Sequence, residues 1–174
     1  EALYLRTIAA QYPATSADTE ASKRLAQIGG SAATLTHGEL LHRAENARRR
    51  HKRKLAIEVA DQLMKEAKPG SRAWCDVGIV KARALETWWL KRKQAAALYD
   101  RLAKTCPMQE WTARLRYRGA KRQMNTASKK RAIELFDEVA KVAPKSTLID
   151  DAMRYQARML RELKKPRKAN AKLE

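Results

Sequence analysis

Few residues of this chain have types and spacings that could do chemistry: three histidines, two cysteines, one adjacent aspartate pair and a surplus of cations in short runs. Two helical metal ligands must stand three or four residues apart to share a face, and His37 and His42 are five apart with no cysteine near them. His37, His42 and His51 therefore read as surface residues. Glycoside chemistry needs two carboxyls facing each other across a cleft. Asp150 and Asp151 are neighbours, and neighbours on a helix point about 100° apart. At the start of an expected helix they suit the positive end of its dipole instead. No Ser-His-Asp or Cys-His constellation and no glycine-rich phosphate loop is legible. The sequence implies no catalytic residue, no metal and no cofactor.

The cations are the stronger signal. The chain has 174 residues with 38 Lys and Arg against 19 Asp and Glu, a formal net charge of +19. The densest run is Arg48, Arg49, Arg50, His51, Lys52, Arg53 and Lys54. Others are Lys91, Arg92 and Lys93; Lys121 and Arg122 with Lys129, Lys130 and Arg131; and Lys164 to Lys168 around Pro166.

Helices must position these runs. Hydrophobic residues make up 44% of the chain, enough for a core. Six glycines and five prolines are too few for an all-β protein with many tight turns. Apolar residues recur at three- and four-residue intervals, and nothing alternates strictly, so the expected class is all-α. No apolar run is long enough to cross a membrane as a helix. Thr36, Ser71 and Thr147 each precede a helical pattern and can cap it. Residues 1–28 read as an N-terminal helix pair, 29–35 as a linker around Gly29 and Gly30, and 36–174 as the remainder. The chain opens on Glu1 and both ends fall in helical sequence, so a segment of a longer protein is expected.

That remainder repeats. Ala56, Asp61 and Leu63 align with Ala95, Asp100 and Leu102, and again with Ala132, Asp137 and Val139. A proline (Pro107, Pro144) follows the last two copies by equal gaps. A small residue precedes each alanine at a near-constant distance, as in Ala44 before Ala56, Ala82 before Ala95 and Ala120 before Ala132. Antiparallel helices approach closely only where both carry small side chains, and larger residues such as Tyr99 and Phe136 then fill the grooves between units.

This pattern resembles the tetratricopeptide repeat, with three and a half units over residues 36–174. The resemblance implies a right-handed α-α solenoid of antiparallel helix pairs. The phrases Tyr12-Pro13-Ala14-Thr15-Ser16 and Pro144-Lys145-Ser146 to Asp150-Asp151-Ala152 are similar to the helical-repeat region of soluble lytic murein transglycosylases. The resemblance implies a periplasmic scaffold in a Gram-negative bacterium that helps a parent enzyme engage peptidoglycan glycan strands. Neither the Glu-Ser pair nor the Gly-Leu-Met-Gln phrase of that family's catalytic domain occurs here. The rival expectations are a free-standing periplasmic adaptor for a protein partner and a nonspecific nucleic-acid binder.

Placed on the repeat, Cys75 and Cys106 come to the same end of one helix hairpin, where a disulfide is geometrically possible. Two independent buried thiols are the alternative, and a bond would point to an oxidising compartment such as the periplasm. The cation runs fall at the turns within repeats, so Arg48 to Lys54, Lys91 to Lys93 and Lys129 to Arg131 are expected to form a ridge that attracts polyanions. Lysine-rich turns that merely aid solubility are the plainer alternative. Specific nucleic-acid recognition is not implied, because most runs lack the exposed aromatics that stack bases. Trp74, Trp111, Tyr117 and Tyr155, together with Trp88, are candidate contacts on a concave face, against core packing.

Overall fold

A computed structural model describes residues 1–106, 109–124 and 128–172, without the side chains of residues 32 and 109–111. Every regular element among the described residues is helical. The chain divides into two compact units, Glu1–Trp88 and Trp89–Glu174.

The first unit holds α1 (Ala2–Gln11), α2 (Ser16–Ile28), the single turn α3 (Gly30–Ala33), α4 (His37–Arg49), α5 (Arg53–Glu66) and α6 (Arg72–Glu86). α1 packs on α2, α4 on α5 and α5 on α6; α1 also lies against α4, and α4 against α6. Residues 1–28 and the helices that follow thus lie in one compact unit. Gly29 and Gly30 adopt φ of +67° and +63°, which an unbranched backbone takes at little cost, and the chain folds into α3. Arg43 on α4 reaches back to Asp18 on α2 through two hydrogen bonds of 2.6 and 2.8 Å, and to the carbonyl of Ala9 at 2.6 Å. Asn46 donates to the Ala10 carbonyl at 3.1 Å. Burial alone would raise the Asp18 pKa, but the Arg43 guanidinium and the Ala14 N–H outweigh it and hold the carboxylate below its usual range.

The second unit holds a 3-10 turn at Trp89–Lys91, then α7 (Arg92–Thr105), α8 (Gln109–Met124), α9 (Lys129–Val142), α10 (Leu148–Glu162) and α11 (Pro166–Asn170). Again successive helices pack on one another, and α8 also meets α10.

The repeat register is visible in the core. α5, α7 and α9 are each 14 residues long, and Ala56, Ala95 and Ala132 occupy the same position in each with no exposure. Ala44, Ala82 and Ala120, the small residues that precede them in the repeat, are equally buried. Next to Ala120, a side chain on Gly119 would stand 3.3 Å from the Cβ of Tyr99, so the α7–α8 approach leaves little room there. Thr36 forms a reciprocal capping box with Glu39, and the Ser71 hydroxyl accepts from the Trp74 N–H at 3.2 Å. Thr147 does not cap α10. Its backbone is already helical (φ −60°, ψ −10°), which keeps the hydroxyl away from the free N–H groups. Ser146 Oγ accepts from Leu148 N–H instead, at 3.2 Å.

Candidate interaction surfaces

The helices α5, α7 and α9 open on cations, and none has an acid in its first turn. That sign is wrong for a helix, whose N-terminus carries partial positive charge. A complementary charge there stabilises by about 0.3–1 kcal/mol, and a cation opposes it by a similar amount. By contrast α2, α4 and α10 start with Asp18, Glu39, and Asp150 with Asp151.

In α9 the fold itself compensates. The Arg131 guanidinium lies 2.6 Å from Asp100, 3.1 Å from Glu134 and 3.5 Å from Glu138, and Lys129 lies 2.7 Å from Glu162. The Asp100 hydrogen bond above all holds Arg131 above its ordinary pKa. The Ser128 hydroxyl caps the helix by accepting from the Arg131 N–H at 3.3 Å. In α7, Arg92 lies 4.5 Å over the Trp89 ring, within cation–π range. Lys93 and Lys130 are exposed, and Lys91 is half-buried.

The turn before α5 differs. Lys52 N–H donates to Ala47 O at 2.8 Å and His51 N–H to Arg48 O at 3.1 Å, while His51 adopts φ +60°. These bonds form a Schellman motif that ends α4 sharply. Behind the turn, Arg48 lies 2.6 Å and Arg49 3.3 Å from Glu45, and Arg50 sits 5.0 Å over the Tyr12 ring. Ahead of it, Lys52, Arg53 and Lys54 pair with no carboxylate among the described residues. With Ala14, His51, Leu55 and Trp88 they line an open cavity of about 490 Å³. Arg53 Nε is buried there without a hydrogen-bond partner. Each expected cation run thus sits at a turn or helix start, but its members are not equivalent.

The candidate concave contacts divide as well. Trp74 is 2% exposed and belongs to the core, because the Ser71 cap starts α6 with that indole facing inward. Trp88 is half-buried just past the end of α6, in the basic cavity. The Trp111 side chain lies outside the described residues. Tyr117 and Tyr155 are half-buried and flank Phe136, with ring centroids 5.7 and 5.8 Å from it. Lys121 Nζ lies 5.5 Å from the Tyr117 ring and 5.0 Å from that of Tyr155. Tyr117 donates its hydroxyl to Asp151 at 3.1 Å. Burial, then that bond and the Asp151 charge, push the Tyr117 pKa up to about 12.

Several features escaped the sequence reading. Trp89 and Leu90 are 72% and 79% exposed in the 3-10 turn. The repeat aspartates have a shared use, which their spacing alone did not reveal. Asp61 pairs with Lys81 at 2.5 Å, Asp100 with Arg131, and Asp137 with Lys172 at 2.6 Å, each reaching a later element. His37, His42 and His51 are exposed, and no group of metal-ligating side chains occurs among the described residues. Cys75 and Cys106 are both buried, and the described residues include no free thiol.

The stacked helix pairs, with alanines at their close approaches, define a tetratricopeptide-like all-α fold. The solved structure MamA MSR-1 C2 is similar at a TM-score of 0.66, with 17% identity over 99% of this chain and 92% of that one. MamA AMB-1 C2221 is similar at 0.64, with 16% identity over 98% and 93%. At such identities the likeness shows the fold. No protein-family model and no curated protein matches the chain.

Proposed function

We propose that this chain is a non-catalytic interaction scaffold whose helical repeats hold a protein partner. The supporting observation is the likeness to the tetratricopeptide-like fold of MamA over nearly the whole of both chains. Such folds present side chains from successive helix pairs on an extended surface, which suits binding of another chain.

A narrower reading makes the scaffold the helper segment of a lytic transglycosylase, engaging peptidoglycan in a Gram-negative periplasm. Its support is the pair of phrases at Tyr12–Ser16 and Pro144–Ala152. Those residues have structural work of their own. Thr15 caps α2, Asp18 just beyond binds Arg43, and Asp150 and Asp151 open α10. Folding needs account for the phrases, so the broader reading is preferred. A Cys75–Cys106 bond would accompany an extracytoplasmic site. Counting thiols in the denatured, unreduced protein should give none, and a count of two removes that part.

Crosslinking of the full chain in extract from its source, followed by mass spectrometry, tests the scaffold. The expected result is one reproducible partner protein whose crosslinks map to few lysines of the chain. Crosslinks scattered over all exposed lysines, with no recurring partner, would defeat it. Retention on purified sacculi at high salt would instead favour the cell-wall reading.

A further inference from the structure

The geometry points to the cavity at the α4–α5 turn as a receptor for an acidic peptide segment that carries an apolar side chain. The inference deepens the scaffold reading and rests on it. Lys52, Arg53 and Lys54 oppose the dipole of the helix they begin, and the described residues offer them no carboxylate. A fold that places cations against its own electrostatics without compensation departs from local consistency, and such departures concentrate at functional positions. α9 opens on three cations as well, but there Lys129 and Arg131 are both held by carboxylates of the chain.

The cavity also fixes the kind of anion. Its volume of about 490 Å³ suits a few side chains, in the range of small-ligand sites. It has an apolar wall, from Leu55 and the half-buried Trp88, facing a cationic rim. A polyanion such as nucleic acid or sulfated glycan would follow a track of unpaired cations. Here the carboxylate-free track is short, because Glu45 pairs with Arg48 and Arg49 and leaves only Arg50, over the Tyr12 ring, behind the turn. Peptide carboxylates at the rim with an aromatic or aliphatic residue against the indole use both walls.

The test is fluorescence anisotropy with the full chain and a short labelled polyglutamate peptide bearing one central phenylalanine. A phenylalanine-free peptide, heparin and single-stranded oligothymidylate are the comparison ligands. The triple variant Lys52→Gln/Arg53→Gln/Lys54→Gln is expected to weaken peptide binding by about tenfold or more. Trp88→Ala should weaken it by about fivefold, with Trp88→Phe retaining most of the affinity if the alanine variant folds poorly. Lys93→Gln/Lys130→Gln should leave it unchanged. Equal binding without the phenylalanine, no effect of the triple variant, or tighter binding of heparin or oligothymidylate per charge each overturns the proposal. If crosslinking still recovers a partner with the triple variant, the scaffold stands and this receptor falls.

Discussion

The helix starts of α5 and α9 carry three basic residues each, and the structure uses them in opposite ways. Before α9, Arg131 and Lys129 reach four carboxylates between them, and Ser128 caps the helix. Before α5, the cap is Lys52 itself with no side-chain bond, and the charges face an open cavity. A run of cations in a sequence therefore states a charge but not whether the fold has already neutralised it. The first arrangement holds helices together, and the second is left for a partner.

The largest expected effect sets the upper end of that contrast. Arg43 is a cation committed to a buried acid and to the Ala9 carbonyl, and Arg43→Ala would leave Asp18, 5% exposed, without its counter-charge. Unfolding by urea should show a loss of about 3–5 kcal/mol. Arg131→Gln should cost less, about 1–3 kcal/mol, because the three-carboxylate cluster is only partly buried. If Arg53→Gln costs as much as Arg131→Gln, the distinction between the two helix starts fails.

Acid should act on the committed side of the comparison. Asp18, Asp100 and Asp137 are each raised by burial and lowered further by their cation hydrogen bonds, ending below the usual carboxylate range. A carboxylate held lower in the folded state than in the unfolded one stabilises the fold above its unfolded value, about 4, and that stability is lost as pH falls toward the folded value. Stability should therefore fall steadily below about pH 4, and Arg131→Gln should flatten the decline. Asp76 works in the opposite sense, since burial raises it and Arg72 at 3.8 Å does not compensate.

Smaller effects sharpen the α5 side. His51 occupies a left-handed position that glycine takes without strain, so His51→Gly should stabilise by about 1 kcal/mol in thermal melts. The smallest change is expected for Lys52→Gln/Arg53→Gln/Lys54→Gln, within about 0.5 kcal/mol and tending toward greater stability as the dipole conflict is relieved. A large loss would mean that these cations hold the fold after all.

The repeat was legible because its determinants are local. Ala120 and Ala132 are close in sequence and share one core cluster across a short turn, so their spacing reports the packing. The place of the N-terminal pair was not, because Asp18 and Arg43 are 25 positions apart and neither belongs to a periodic pattern. The same holds for Asp100 and Arg131, separated by 31. Trp74 and Trp88 were alike in standing between concave contact and core packing, and burial of the first follows from the helix phase set by Ser71, which spacing of aromatics does not encode. The turn residues of the candidate site were visible as a run. That the Schellman motif would leave the half after His51 unpaired, while Glu45 and Tyr12 occupied the half before it, depended on the folded backbone.

The repeat aspartates have a consequence for how such a chain can change. Asp61, Asp100 and Asp137 hold the same position in their helices, yet one reaches a lysine on α6, one an arginine on α9, and one a lysine beyond α11. A helix copied into another slot would bring its aspartate along and leave the matching cation behind. The repeats are thus alike in packing but not interchangeable. Duplication, deletion or shuffling of one pair should succeed only when the cation of the following element moves with it.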